Sequence, residues 1–111
     1  MRDEVIKEIV SGLSLPPAIA QKLLNKYLET LPKDVERLNE SIVQKDFTAA
    51  AKMAHSIRGA SGNLRITRIF QIASELEPIL LNTAQEGAKE EIMEKVNAML
   101  VELDELVKKL V

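Results

Sequence analysis

The spacing of apolar residues constrains the fold of this chain more than any other feature, because apolar residues recur at steps of three and four. The final stretch has the clearest series, which is Ile92, Val96, Met99, Leu103, Leu106 and Leu110. Such steps bring side chains to one face of an α-helix, whereas a strand alternates at every second residue. Aromatic residues make up only 3% of the chain, so its core must be aliphatic, which favours helices packed on helices.

Prolines and capping residues divide the first half of this pattern into helices. A short first helix is predicted from about Asp3 to Val10. Ser14 is predicted to cap the second helix, with proline in the first turn, and this helix should extend to about Gln44. We expect Pro32 to end or restart the second helix, because proline removes a backbone hydrogen bond.

Three further helices are predicted in the second half. Asp46 should cap a helix that begins at Phe47 and ends near Gly62. A fourth helix should begin at about Ile66, and because Pro78 lies inside its pattern we expect a kink or a break near Glu77. The last helix has acidic residues in its first turn and lysines in its last, which suits the helix dipole. The chain is therefore predicted to be all-α, with one domain over residues 1–111. We expect an up-and-down four-helix bundle with a short N-terminal capping helix.

Charge and composition argue against several classes of function. The net charge is −2 and the pI about 5.5, so there is no positive excess to neutralise the phosphates of a nucleic acid. Cysteine is absent and there is one histidine, so we expect no metal on this chain. The four glycines form no glycine-rich nucleotide loop, and we expect no cofactor either. No apolar run approaches the length of a membrane span, so we expect no membrane contact and a cytoplasmic protein.

The predicted third helix places the only histidine of the chain on its exposed flank. Its apolar stripe consists of Phe47, Ala50, Ala54, Ile57 and Ser61. His55 lies about 120° from the centre of that stripe on a helical wheel. The residues stacked above and below it are all small: Thr48, Ala51, Gly59 and Gly62. The cations Lys52 and Arg58 lie one turn before and after it, and could counter the negative charge of an arriving group. Arg58 in particular could donate charge-assisted hydrogen bonds to phosphoryl oxygens.

Small residues around an exposed imidazole indicate that another protein approaches it closely. A glycine inside a helix lowers stability by roughly 0.5–1 kcal/mol relative to alanine, so the presence of Gly59 and Gly62 requires an explanation. Partner docking is one reason, and Ala51 and Thr48 would complete the docking surface. The alternatives are close helix packing at Gly59 and a helix C-cap at Gly62.

The segment His55-Ser56-Ile57-Arg58-Gly59 resembles the signature of the histidine-containing phosphotransfer (HPt) domain family. That signature is a histidine, any residue, Leu or Ile, Lys or Arg, then Gly. The resemblance extends over roughly residues 23–80. Other residues match its small and apolar positions and its Ala…Leu-Glu pattern: Met53, Ala54, Ala60, Ser61, Leu64, Ala73, Leu76 and Glu77. Arg65 departs from the family, which usually has glycine at this position.

The resemblance implies that His55 accepts a phosphoryl group from the aspartyl phosphate of a receiver domain, or from a kinase, and passes it to another receiver. The ring nitrogen distal to the backbone would be the nucleophile, with Arg58 and Lys52 stabilising the phosphoryl group. The receiver would supply Mg²⁺ and most of the transition-state stabilisation, so this chain would be a carrier without catalysis of its own. Its partners would be response-regulator receiver domains or a sensor histidine kinase, and it would be a monomer.

Two other interpretations are open. A helical adaptor that binds partners without chemistry would keep the bundle, but it explains the pattern around His55 poorly. The phosphoacceptor region of a histidine kinase also presents a histidine on a helix. That family has an acidic residue after the histidine, then Thr or Asn followed by Pro further on. Ser56 and Gly59-Ala60 do not match this pattern.

Overall fold

The computed structural model describes residues 2–110, apart from the side chains of Arg2, Asp3 and Val5. Met1 and Val111, the ends of the predicted domain, lie outside the described residues. Five α-helices are formed: α1 (Arg2–Gly12), α2 (Pro17–Val43), α3 (Phe47–Asn63), α4 (Thr67–Glu86) and α5 (Glu90–Leu110). Within residues 2–110 all regular structure is helical, which confirms the all-α prediction.

Four of these helices form a closed up-and-down bundle. Connections at 44–46, 64–66 and 87–89 join α2 to α3, α3 to α4 and α4 to α5. Connections this short make sequential neighbours antiparallel. α5 also packs against α2, which closes the ring, and α1 contacts both of these helices. The predicted four-helix bundle with an N-terminal capping helix is therefore confirmed.

The core is aliphatic, as the scarcity of aromatic residues requires. Its largest fully buried apolar side chains are Leu24, Leu38, Ile57, Ile69, Ile72, Leu76, Leu80, Val96 and Leu103. One buried polar contact joins α2 to α3, where the hydroxyls of Tyr27 and Ser61 share a hydrogen bond of 2.7 Å. Burial raises the pKa of Tyr27 to about 12, because the phenolate would lose its hydration. This hydrogen bond explains how a serine occupies the apolar stripe of α3.

The prolines at the start and middle of α2 act differently from the prediction. The helix begins at Pro17, and its N-cap residue is Pro16, so the predicted Ser14 cap is wrong. Pro17 disfavours helical backbone angles in the residue before it, and Pro16 accordingly has an extended ψ of 138°. Pro32 neither ends nor restarts the helix, because its buried neighbours Leu31 and Val35 hold the chain in the core on both sides.

The second predicted interruption, near Glu77, is also not a break. α4 continues through Pro78 to its end at Glu86. Leu76 and Leu80, on either side of the proline, are fully buried. Their packing offsets the hydrogen bond that Pro78 cannot donate.

The start and the approximate end of α3 follow the prediction, whereas its C-cap residue does not. The Asp46 carboxylate accepts a hydrogen bond of 3.1 Å from the backbone amide of Ala49, which confirms the predicted N-cap. The helix continues one residue past Gly62 to Asn63, and its C-cap residue is Leu64. The interpretation of Gly62 as a C-cap is therefore wrong.

Arg65, which stands where the HPt family usually has glycine, has a left-handed backbone with φ of 56°. This conformation costs a residue with a side chain roughly 1–2 kcal/mol. The guanidinium Nη1 of Arg65 donates a hydrogen bond of 3.1 Å to the carbonyl oxygen of Gly12, the last residue of α1. The contact places a cation at the C-terminus of α1 and ties the capping helix to the turn between α3 and α4.

Candidate functional site

α3 packs against both α2 and α4, and this packing sets the direction in which His55 points. The predicted apolar stripe forms the buried face of the helix. His55 lies on the other flank, and its side chain is 67% exposed. The predicted exposure of the histidine is therefore confirmed.

A carboxylate from the neighbouring helix binds the inner nitrogen of this imidazole. His55 Nδ1 lies 2.9 Å from Oε2 and 3.2 Å from Oε1 of Glu77 on α4. The pairing follows from the antiparallel register, because Gly62 of α3 lies against the ring of Phe70 on α4. His55 is seven residues before Gly62 and Glu77 seven after Phe70, so two turns along each helix bring them together.

The contact with Glu77 determines which ring nitrogen of His55 carries the proton. An ionised carboxylate only accepts hydrogen bonds, so Nδ1 must be the protonated nitrogen that donates. In the neutral ring, Nε2 then keeps its lone pair. No hydrogen bond to Nε2 is found within the described part of the chain. The nitrogen distal to the backbone is thus available as a nucleophile on the solvent side.

Arg58 shares the same carboxylate. Its Nη1 donates a hydrogen bond of 3.0 Å to Oε1 of Glu77, and its side chain is 45% exposed. The Glu77 side chain is 18% exposed, so two donors from α3 converge on one half-buried anion. Arg58 is therefore close to His55, as predicted, but it donates to the carboxylate that binds Nδ1 and not to a group beside Nε2. Lys52 is exposed on the preceding turn of α3.

Two of the four predicted docking residues lie on open surface. Gly59 is exposed, and a Cβ added there would meet nothing within 4 Å. Close helix packing therefore does not account for this glycine. Thr48 is exposed as well. Docking at Gly59 and Thr48 stays a prediction.

The other two predicted docking residues serve the packing of the bundle. Ala51 is only 3% exposed, so its assignment to the docking surface is wrong. A Cβ at Gly62 would lie 3.0 Å from two ring carbons of Phe70, which is tighter than ordinary contact. Gly62 therefore permits the close approach of α3 and α4. Gly62 lies on the side of α3 that faces α4, which a wheel of α3 alone cannot reveal.

Sequence reasoning missed the role of Glu77. It noted this residue only as part of the Leu-Glu pattern of the HPt family. The signal that could have found it is the register of α3 against α4, since both are long helices joined by a three-residue turn. The described residues contain no cluster of three or more His, Cys, Asp or Glu side chains that could hold a metal ion.

The bundle holds one oriented imidazole at its surface, which is the arrangement that a histidine phosphotransfer module requires. A family model of the Hpt domain matches residues 22–109, so the chain belongs to the Hpt domain family and has a phosphotransfer role in two-component signalling. Neither the curated proteins nor the solved structures include a significant match to the chain. Among residues 2–110, none of the helices has the length and apolar character to span a membrane.

Proposed function

We propose that this chain is a phosphorelay intermediate whose His55 accepts a phosphoryl group from a receiver-domain aspartyl phosphate, or from a kinase, and passes it to another receiver. The contact between His55 Nδ1 and Glu77 carries this proposal. It provides a protonated Nδ1 and leaves the lone pair of Nε2 towards solvent, where a second protein can reach it. A bystander histidine would not require a half-buried carboxylate behind it.

The transfer step uses the two nitrogens of His55 for different purposes. The lone pair of Nε2 attacks phosphorus and forms the N–P bond. The bond between phosphorus and the aspartyl oxygen breaks, and the receiver carboxylate leaves with the electron pair. The proton stays on Nδ1, so the ring becomes a cation beside the carboxylate of Glu77.

Glu77 therefore interacts more strongly with the transition state than with the neutral ring. The attraction between its carboxylate and the imidazole grows as positive charge develops, which is the kind of interaction that lowers a barrier. The buried aspartate of a serine-protease triad acts on its histidine in the same manner. In the reverse direction, the cationic ring is a good leaving group for transfer to a second receiver. One arrangement thus serves both acceptance and donation.

The receiver contributes the rest of the chemistry. Hpt domains are carriers and generally not enzymes, so we assign Mg²⁺ and most of the stabilisation of the transferring group to the receiver. This chain contributes the nucleophile, the Glu77 carboxylate and the nearby cations Arg58 and Lys52. We place this function in the cytoplasm, where a receiver and its kinase would meet the chain.

The surface beside His55 supports docking of a protein partner. Gly59 is exposed, and the next residue, the exposed Ala60, lines a cleft of about 470 Å³ between α2 and α3. The apolar side chains that line it include Leu15 and Leu23, which are 42% and 46% exposed. We propose that a receiver covers the imidazole and part of this cleft, because water-exposed leucines gain from burial.

The chain closes its four-helix bundle by itself, which favours a monomer over the histidine-kinase alternative. The phosphoacceptor region of a kinase forms an obligate dimer, so light scattering of the purified chain separates the two. A mass of about 12 kDa supports our proposal, and a mass of twice that favours the kinase region.

The function is tested by incubating the chain with a receiver that carries ³²P on its aspartate. We expect acid-labile label on the wild-type chain and none on His55→Gln. Ser56→Ala is the matched control, because it removes the adjacent exposed hydroxyl and should leave the labelling intact. If wild type and His55→Gln remain equally unlabelled with any receiver or kinase, the chain is an adaptor.

A further inference from the structure

Arg58 has two possible anionic partners, which are the Glu77 carboxylate and a phosphoryl group on His55. Its guanidinium cannot bind both of them fully at the same time. It donates to Glu77 at 3.0 Å in the structure, whereas stabilisation of a phosphoryl group needs the guanidinium beside Nε2 of His55. We propose that phosphorylation of His55 moves Arg58 from Glu77 to the phosphoryl group, while Glu77 keeps its hydrogen bond with Nδ1–H. This inference rests on the proposed function.

The distance that the guanidinium must move is short. Glu77 binds Arg58 through Oε1 and His55 mainly through Oε2, so both side chains already contact one carboxylate. Arg58 lies three residues after His55, which is about one turn of α3. Its side chain is 45% exposed, so core packing does not hold it against α4. We infer that rotation of this side chain brings its donors towards the outer edge of the imidazole.

Charge favours the exchange after phosphorylation. A phosphoryl group carries nearly two negative charges and three acceptor oxygens, whereas Glu77 carries one negative charge. The phosphorylated ring with a proton on Nδ1 is a cation, and it neutralises Glu77 directly. Glu77 then has its own partner, and the guanidinium forms stronger charge-assisted hydrogen bonds with the phosphoryl oxygens.

The exchange gives the two forms of the protein different surfaces. In the unphosphorylated form Arg58 is held on the α4 side, and Nε2 is open to an incoming donor. In the phosphorylated form the cation lies over the phosphoryl group. A receiver therefore meets a different arrangement of charge at the same site, which allows it to distinguish the two forms.

Phosphoramidate provides the phosphorylated form without a receiver. The lone pair of His55 Nε2 attacks phosphorus, the P–N bond of the reagent breaks, and its protonated nitrogen leaves as ammonia. The Glu77 Cδ resonance is then measured by ¹³C NMR at constant pH in wild type and Arg58→Gln, before and after phosphorylation. The ³¹P resonance is recorded for both phosphorylated proteins.

We expect Arg58→Gln to shift the Glu77 Cδ resonance in the unphosphorylated protein, and this effect to be lost after phosphorylation. The ³¹P resonance should differ between the two phosphorylated proteins, and Arg58→Lys should restore it towards wild type. Arg68→Gln is the matched control, because Arg68 pairs with Glu102 of α5 and does not contact Glu77. It should shift neither the Glu77 nor the ³¹P resonance.

An equal effect of Arg58→Gln on Glu77 in both forms, with an unchanged ³¹P resonance, would overturn the exchange while leaving His55 as the phosphoacceptor. A chain that no phosphoryl donor can label at His55 would overturn the proposed function and this inference together. The two failures are thus distinguishable.

Discussion

Removal of the Glu77 carboxylate is the perturbation that most directly tests how this site works. Glu77→Ala deletes the acceptor for His55 Nδ1–H and the partner of Arg58. The fold should be unaffected, because Glu77 does not belong to the buried core and the adjacent core residue Leu76 is unchanged. We expect slower transfer in a protein with an unchanged helical circular dichroism spectrum.

The magnitude follows from the kind of contact that is lost. A hydrogen bond to a charged group contributes roughly 1.5–3 kcal/mol. The exposure of His55 and the release of Arg58 towards the phosphoryl group both reduce the net loss, so the lower end of this range applies. Since about 1.4 kcal/mol corresponds to tenfold in rate, Glu77→Ala should slow transfer about tenfold. Glu77→Gln should lie between this variant and wild type, because its amide oxygen still accepts from Nδ1–H.

The assay is single-turnover transfer from a phosphorylated receiver, followed by rapid quenching. Glu75→Gln is the matched control, because this exposed glutamate lies two residues earlier on α4 and points away from His55. It should transfer at the wild-type rate. A folded Glu77→Ala protein that also transfers at the wild-type rate would refute the role given to Glu77.

Three further predictions concern the bundle around the site. Gly59→Leu should keep or raise the free energy of unfolding by up to about 1 kcal/mol, because leucine favours helix and its Cβ meets nothing. It should nevertheless block transfer, and normal transfer would show that no partner covers this turn. The phenol of Tyr27, the only tyrosine, should ionise near pH 12 in folded protein and near 10 in urea, as measured by tyrosinate absorbance. Its folded pKa is raised, so its contribution to stability is complete below pH 10. About 3 kcal/mol is then lost between pH 10 and 12, and Tyr27→Phe should abolish that loss. Lys45→Gly and Arg65→Gly both remove a side chain from a residue with positive φ, but only Arg65→Gly also loses a hydrogen bond to Gly12. The free energy of unfolding in urea should therefore be about 1 kcal/mol higher for Lys45→Gly. Equal stabilities would show that the tether to α1 contributes nothing.

Much of the fold was predictable because its determinants are local. The three-and-four spacing of apolar residues predicts helices in any context, and Asp46 caps α3 through a contact only three residues away. The expected end or restart of the helix at Pro32 and the expected break near Pro78 were wrong for the opposite reason. Proline opposes a helix locally, but the buried residues on either side of each proline gain more from staying in the core. That gain depends on neighbouring helices, which a single segment of sequence does not reveal.

The features of the candidate site also separate into those set by one helix and those set by the packing of two helices. The exposure of His55 and the proximity of Arg58 follow from positions on one helix, and both were predicted. The burial of Ala51 depends on how neighbouring helices pack against α3, and the contact of Glu77 depends on how α4 lies against it. The register of two helices is a property of the packed bundle. Residues that the helical wheel makes equivalent therefore acquire different roles once α4 covers one side of α3.

The central claim is that Nε2 of His55 carries the phosphoryl group while Glu77 holds the proton on Nδ1. One measurement tests it directly, since the chain has a single histidine. The protein is labelled with ¹⁵N in the imidazole, phosphorylated by a receiver, and examined by ³¹P and ¹⁵N NMR. We predict a one-bond coupling between phosphorus and Nε2, with Nδ1 protonated. Phosphorus bonded to Nδ1, or to no histidine nitrogen in a phosphorylated chain, would contradict the claim.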